Sequence, residues 1–172
     1  SYTFNLMCGI LFFYSKKKII NENKFRSSLE LQKHRGPDNT GIIKISNKML
    51  IGNVRLAITD LSEKSNQPMI SDNTSNIISF NGDIYNYIEL RENLKAKGIT
   101  FFSNGDTEVL LKQIDNYGIE GINELNGKWS FVYYDRKKNR ILVSRDRFGK
   151  QPLYYFNDDE TIILSSEIKS IF

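Results

Sequence analysis

The sequence predicts an α+β fold in which helices cover two mostly antiparallel sheets. Helical periodicity is confined to segments that fall between β-rich segments, and no strand–helix–strand alternation runs the length of the chain. The last third of the chain contains two hairpin patterns, around 136–139 and 157–159, which are typical of antiparallel pairing. A chain of 172 residues is one ordinary domain, long enough to bury a core.

The individual elements follow from local patterns. Residues 10–14 are continuously apolar, which is typical of a fully buried strand. Phe25 and Leu29 lie at helical spacing before the Gly36-Pro37 stop. The same reasoning predicts strands at 10–14, 41–45, 49–58, 76–80, 100–103, 129–135, 140–146, 153–156 and 161–165, and helices at 22–33, 84–97, 107–117 and 167–172.

Asn81-Gly82-Asp83 follows one of these strands. An Asn-Gly pair after a strand usually indicates a hairpin turn, but the apolar residues that follow recur at helical spacing. We therefore predict a corner between a strand and a helix. Such a corner can direct an amide side chain and a backbone N–H at one position, and these are the parts of an oxyanion hole.

Cys8 is the only cysteine, so it cannot form an internal disulfide. It is either an inert buried thiol or a nucleophile. If Met7 were removed, Cys8 would carry a free α-amino group with a pKa of roughly 7.7–8.0, which could act as general base for the thiol. Gly9 places no side chain beside the carbonyl that the thiol would attack.

Two charged residues have both a structural and a functional interpretation. Arg55 is predicted to point to the opposite strand face from Val54; such an arginine is usually solvated, but its guanidinium suits a carboxylate. Asp106 precedes a predicted helix and is equally compatible with an N-cap. The single histidine, His34, lies in a glycine–proline loop, and we predict no chemical role for it.

The composition argues against two classes of function. The net charge is +4 and the pI is near 9.0, but basic and acidic residues are interspersed and form no basic stripe with aromatics, so nucleic-acid binding is not predicted. The apolar run 6–14 is too short to span a bilayer, and its lysines follow it rather than precede it as in a secretory signal. We expect no membrane association and a reduced, cytoplasmic location.

Nine segments carry a family resemblance. They are MCGI, HRGPD, RLAITDL, QPM, FNGDIYN, DTEVLL, LNGKWSFVYYD, SRDRFGKQPLYY and LSSEIK, and together they span residues 7–172. In this order they resemble the glutaminase domain of class II, or N-terminal-nucleophile (Ntn), glutamine amidotransferases. RGPD and RDRFGKQPLYY resemble the asparagine-synthetase type rather than the sugar-phosphate or phosphoribosyl types.

The resemblance implies a four-layer αββα sandwich, the Ntn-hydrolase fold, and a role for each site residue. Cys8 matches the nucleophile, while the Asn81 side chain and the Gly82 backbone N–H match the oxyanion hole. Arg55 matches the residue that binds the α-carboxylate of glutamine, and Asp106 the one that binds its α-ammonium. Asp83 stands where the family usually has glutamate; its shorter reach weakens the case for direct substrate contact.

The resemblance also implies partners and domain boundaries. Glutamine is the expected substrate, and an ATP-dependent synthetase domain or subunit is the expected recipient of ammonia. We expect no metal or organic cofactor in this domain, with ATP and Mg²⁺ used only by the synthetase. Residues 8–172 form the predicted glutaminase domain, and 1–7 a leader or an addition from cloning.

Three questions stay open at this point. With the leader attached, the Cys8 nitrogen is a peptide amide and no base, so that form is expected to be inactive. A non-catalytic amidotransferase-like module, serving interaction or structure, is the alternative function. The sequence also leaves a homodimer open.

Overall fold

A computed structural model describes residues 7–171, which include only Met7 of the predicted leader. The strands form two sheets, and every neighbouring pair is antiparallel. The five-stranded sheet has the order β2-β3-β1-β9-β8 and the four-stranded sheet the order β4-β5-β6-β7. The strands are β1 (Gly9–Ser15), β2 (Asn39–Ser46), β3 (Met49–Arg55), β4 (Met69–Ile70), β5 (Ile77–Ile84), β6 (Gly127–Asp135), β7 (Arg140–Arg145), β8 (Tyr154–Asn157) and β9 (Thr161–Ser165).

Three helices complete a four-layer αββα sandwich, which confirms the predicted fold class. They are α1 (Glu22–Glu30), α2 (Tyr87–Lys95) and α3 (Asp106–Tyr117). Phe25 and Leu29 of α1 pack on the outer face of the five-stranded sheet. Leu90 and Leu94 of α2, with the apolar face of α3, cover the outer face of the four-stranded sheet. Each helix thus buries its apolar face against a sheet.

The space between the two sheets changes character along the strands. Ile51 of β3 and Ile77 of β5 belong to the apolar cluster that joins the sheets. Because alternate residues of a strand share a face, Asn53 and Ser79 occupy the next inward positions, and Asn53 Nδ2 donates to Ser79 Oγ at 3.0 Å. The inward row of β3 then ends at Arg55. The apolar core therefore gives way to polar side chains at one end of the sandwich.

Strand β5 differs from the prediction at the Asn81-Gly82-Asp83 segment. The predicted corner is wrong, because β5 continues through these residues to Ile84 and stays paired with β6. The close approach of β6 explains why a glycine stands here. A Cβ atom on Gly82 would lie 2.1 Å from Lys128 O. The following helix accordingly begins at Tyr87 rather than at Ile84.

The predicted strand at 100–103 is also wrong, because these residues have no strand pairing. Two of their backbone N–H groups, those of Phe102 and Ser103, are instead bound by Glu108 of α3, whose side chain is completely buried. Its carboxylate accepts from Phe102 N at 3.0 Å, from Ser103 N at 2.7 Å and from Ser103 Oγ at 2.6 Å. A buried carboxylate thus replaces a neighbouring strand as the acceptor for this segment.

Other elements also differ from the prediction. Helix α1 ends at Glu30, before the predicted stop. The predicted terminal helix is only a 3₁₀ turn at Ile168–Ser170, and Phe172 lies outside the described residues. The two-residue strand β4 was not predicted. In the part of the chain that the structure describes, no helix combines the length and the apolar character needed to cross a bilayer.

We predict that Glu108→Ala lowers the free energy of unfolding by about 3 kcal/mol, because it leaves two backbone N–H groups and a hydroxyl without a hydrogen-bond acceptor. Urea denaturation of the purified domain measures this change. Glu92→Ala is the matched control, because its salt bridge with Lys95 is exposed and contributes roughly 0–1 kcal/mol. Equal losses in the two variants would contradict a special contribution from Glu108.

Candidate active site

A cavity of about 460 Å³ opens at the polar end of the sandwich. The ends of β3 and β5, the start of α3 and the residues before β1 contribute to its wall. All six residues singled out in the sequence line this one cavity: Cys8, Arg55, Asn81, Gly82, Asp83 and Asp106. The structure therefore brings the predicted set together, while the chemical role of each residue stays a prediction.

Cys8 directly precedes β1 and is half-buried. Its Sγ accepts a hydrogen bond from Leu56 N at 3.4 Å and lies 3.8 Å from Leu56 O, to which the thiol can donate. Burial raises the pKa of the thiol to about 11, although the Leu56 hydrogen bond and the positive charge of Arg55 oppose that rise. The thiol is therefore protonated near neutral pH and needs a base before it can attack.

The backbone N–H of Gly82 points into the cavity because of its place in the β5 ladder. Its cross-strand neighbour Trp129 directs both backbone groups away from β5: N donates to Asp146 Oδ2 at 3.3 Å, and O accepts from Asp146 N at 2.8 Å. Gly82 is thus a non-hydrogen-bonded position facing β6, and its N–H lies on the opposite edge of β5.

The neighbouring N–H groups on this outer edge of β5 have identified partners. Phe80 N donates to Gln67 Oε1 at 2.7 Å, and Ile84 N donates to Asp106 Oδ2 at 3.0 Å. Gly82 N lies between these two positions and has no acceptor among residues 7–171. It is therefore a donor held in place by its strand and directed at the cavity, as an oxyanion hole requires.

The Asn81 side chain is completely buried on the inward face of β5. Its Nδ2 donates to Gln151 Oε1 at 3.1 Å. Its Oδ1 has no hydrogen-bond partner among the described residues. One of the two amide N–H groups is thus taken by Gln151, and the other has no acceptor within residues 7–171.

Arg55 is held by the loop that follows β3. Its Nη1 donates to Ser62 O at 3.0 Å and to Asn66 Oδ1 at 2.8 Å, while its Nη2 donates to Asp60 O. Of its five N–H donors, Nε–H and one Nη2–H have no acceptor among residues 7–171. The buried guanidinium is therefore fixed in position with two donors left for a ligand.

Asp106 is not the N-cap, so that structural interpretation was wrong. Gly105 occupies the N-cap position, and Asp106 is the first residue of α3. Its carboxylate lies across the cavity end of β5, accepting from Ile84 N. Burial raises the pKa of Asp106 to about 6, despite the opposing effect of that hydrogen bond. A cationic ligand would favour the ionised form.

Asp83 and His34 are engaged elsewhere. Asp83 lines the cavity, but its Oδ2 lies 3.0 Å from Lys128 Nζ, and this contact raises the pKa of Lys128. His34 does not line the cavity; its Nε2 lies 2.8 Å from Glu167 Oε1. The ion pair gives Asp83 a protein partner in place of a substrate, which fits the doubt raised by its short side chain.

Several cavity residues were not singled out in the sequence, chiefly Gln67, Lys128, Lys150 and Gln151. All four lie within the quoted segments QPM, LNGKWSFVYYD and SRDRFGKQPLYY. The family resemblance therefore covered these stretches of sequence but did not identify the four residues individually. Met7 also lines the cavity, and its N donates to Arg35 O at 2.9 Å. No group of three His, Cys, Asp or Glu residues positioned for a metal ion occurs within residues 7–171.

The chain has the fold of a solved amidotransferase. The chain is similar to glutamine phosphoribosylpyrophosphate amidotransferase from B. subtilis, solved with ADP and GMP, with a TM-score of 0.81. The match covers 95% of this chain and 43% of that protein at 21% sequence identity, so it establishes the fold alone. The four-layer sandwich is the Ntn-hydrolase fold, as the resemblance implied.

The amino-acid sequence also places the chain in a family. A family profile described as the glutamine amidotransferase domain matches residues 7–172, and the chain belongs to this family. It is 41% identical to a putative glutamine-hydrolyzing asparagine synthetase 2 of Methanocaldococcus jannaschii, over 96% of this chain and 35% of that protein. It is 36% identical to glutamine-hydrolyzing asparagine synthetase 1 of Bacillus subtilis, over 96% and 26% respectively. The domain is of the asparagine-synthetase type, and the chain spans about a third or less of these relatives' length.

We predict that Asp106→Asn stabilises the domain at pH 8 by about 2 kcal/mol. Because the folded pKa of Asp106 is raised to about 6, the folded state favours the protonated carboxyl. That advantage is complete below roughly pH 4 and is lost as the pH rises through about 6. Asparagine keeps an acceptor for Ile84 N but cannot ionise. Urea unfolding between pH 4 and 8 tests this, and a stability difference that does not vary with pH would contradict it.

Proposed function

We propose that this domain hydrolyses glutamine to glutamate and ammonia through a thioester on Cys8. The observation that carries the proposal is the convergence on one cavity of a thiol, a buried guanidinium, a buried carboxyl and an inward-facing N–H. Glutamine presents a carboxylate, an ammonium and a side-chain amide. Each of these groups has a complementary partner in the cavity, and no residue of the set lies outside it.

The charged groups of the cavity support binding of the amino-acid end. The two remaining donors of Arg55 match the α-carboxylate, since a guanidinium binds carboxylate oxygens through parallel N–H groups. Asp106 matches the α-ammonium. These two groups would fix the substrate so that its side-chain amide extends toward Cys8.

The chemical steps use only groups in the cavity and water. The Cys8 thiolate attacks the amide carbon, and the resulting oxyanion accepts hydrogen bonds from Gly82 N and Asn81 Nδ2. The C–N bond breaks as the nitrogen is protonated, which releases ammonia and leaves a glutamyl thioester. Water then adds to the thioester carbon, the C–S bond breaks, and glutamate leaves with regeneration of the thiol. Within this domain we expect the reaction to need no metal or organic cofactor.

The proton carrier is the α-amino group of a chain that begins at Cys8. In the sequence as written this nitrogen is bonded to Met7 and is a planar amide without basic character. Met7 also occupies part of the cavity wall. Removal of residues 1–7 would therefore create the base and enlarge the space beside the nucleophile at the same time.

Ammonia is proposed to pass to an ATP-dependent asparagine-synthetase domain or subunit. The two relatives described above are glutamine-hydrolyzing asparagine synthetases by name, and this chain matches only 26–35% of their length. ATP and Mg²⁺ belong to that synthetase in this proposal. A reduced, cytoplasmic location agrees with a free thiol as the nucleophile.

Cys8→Ala is expected to abolish glutaminase activity while leaving the fold and glutamine binding intact. Alanine fills nearly the same space but supplies no nucleophile. Glutamate release and covalent labelling by an electrophilic glutamine analogue measure the loss, and calorimetry measures glutamine binding. Labelling that persists in the variant would contradict the assignment of Cys8.

The alternative of a non-catalytic module makes a different prediction for the same experiment. In that case the unsubstituted domain beginning at Cys8 would neither release glutamate nor react with the analogue. Cys8→Ala would then change nothing measurable, and the cavity would serve ligand binding or structure.

The form beginning at Cys8 is expected to exceed the form with residues 1–7 attached by about 10²–10⁴-fold in kcat, the usual contribution of a positioned general base. Glutamate release by the two purified forms measures the ratio, and intact mass confirms each N-terminus. Equal rates with the leader present would remove the α-amino group from the mechanism.

A further inference from the structure

We propose that Gln151 is a positioning residue that holds the Asn81 carboxamide in its productive orientation. The inference rests on the proposed function, because it concerns the oxyanion hole of that reaction. Gln151 lies in the loop between β7 and β8 and is only 1% exposed. Its side chain meets Asn81 inside the cavity wall, far away in sequence but adjacent in space.

The contact between these two amides is the only side-chain hydrogen bond that Asn81 makes with residues 7–171. Asn81 Nδ2 donates to Gln151 Oε1, whereas Asn81 Oδ1 has no partner in that part of the chain. Rotation of the carboxamide by a half turn would exchange its NH₂ and oxygen. With Gln151 oriented as in the structure, its Oε1 favours the Asn81 orientation with NH₂ toward it, since an Asn81 oxygen there would face another oxygen. The remaining N–H of Asn81 is oriented as a consequence.

Gln151 is itself fixed through its backbone. Its N donates to Asp146 Oδ2 at 3.0 Å, and its O accepts from Arg145 Nε at 2.5 Å. Asp146 also accepts from Phe148 N at 3.1 Å and from Lys150 N at 3.0 Å. These backbone hydrogen bonds hold the pKa of Asp146 below its usual range although burial acts in the opposite direction. The loop therefore stays in place when the Gln151 side chain is changed.

Asp146 connects this loop to the second donor of the oxyanion hole. Through its own N–H and its carboxylate it occupies both backbone groups of Trp129, the residue that faces Gly82 across the β5–β6 pair. The same carboxylate thus supports Gln151, which orients Asn81, and Trp129, which leaves Gly82 N directed at the cavity. Asp146 therefore supports both proposed donors of the oxyanion hole, Asn81 Nδ2 and Gly82 N.

The test compares four proteins that begin at Cys8: Gln151→Met, Asn81→Ala, the double variant and Gln113→Met. Methionine matches the length of glutamine but provides no strong acceptor. Gln113 is the matched control because it is buried in α3 and does not line the cavity. We expect Gln151→Met to lower kcat by about ten- to a hundredfold with KM changed less than about twofold. In the Asn81→Ala background the same change should cost less than about threefold. Gln113→Met should leave both constants unchanged.

A second measurement does not depend on activity. The side-chain NH₂ signals of Asn81, identified by their loss in Asn81→Ala, should exchange with solvent at least about tenfold faster in Gln151→Met than in the parent domain. Gln151→Glu keeps an acceptor oxygen and should keep the slow exchange.

Unchanged exchange in Gln151→Met, or a loss of kcat that is equally large without Asn81, would overturn the positioning role. If the parent domain released no glutamate while Gln151→Met still accelerated exchange, the proposed hydrolysis would fail and the Gln151–Asn81 contact would stand. The two failures are therefore distinguishable.

Discussion

The pairing of β5 with β6 through Gly82 is the constraint on which the site depends. The pair places alternate N–H groups of β5 on its outer edge, where Gln67 and Asp106 bind the groups on either side of Gly82. Only the Gly82 N–H in this row is left for a ligand among the described residues. The approach of Lys128 O leaves no room for a side chain at Gly82. One backbone geometry therefore sets both the residue type and the direction of the donor.

The buried polar groups of the cavity lower the folding stability of the domain. Burial raises the pKa of Asp106 to about 6, so an ionised carboxylate at neutral pH is held against its own desolvation. The Asn81 oxygen is buried without a partner in the part of the chain that the structure describes. Such features persist because the surrounding layers are well packed: apolar clusters lie on both outer faces and between the sheets. The stabilising free energy of the packed apolar core allows the cavity to keep buried polar groups that have no hydrogen-bond partner within residues 7–171.

The sequence predicted the layers and six residues of the cavity, but not the path of the chain around them. Two hairpins and a buried first strand were recognisable because their patterns are local. Residues 81–83 were misjudged because Asn-Gly favours turns, whereas β6 pairs with this segment from 45 or more residues away. Residues 100–103 were misjudged because their partner is a single buried carboxylate, Glu108, which no strand pattern reveals. Gln151 could not be recognised because its contact with Asn81 joins residues 70 positions apart in the chain.

The choice of base can be argued from the pKa values in the cavity. The Cys8 thiol, with a pKa of about 11, shares the cavity with the carboxyl group of Asp106, which has a pKa of about 6. The two values differ by about five, so moving the proton from sulfur to Asp106 would cost about 7 kcal/mol. An α-amino group with a pKa of roughly 8 reduces that cost to about 4 kcal/mol. It is also joined to the same residue, so its distance to sulfur is set by covalent geometry. In the proposed mechanism, cleavage of the peptide bond between Met7 and Cys8 would therefore give the thiol its own base.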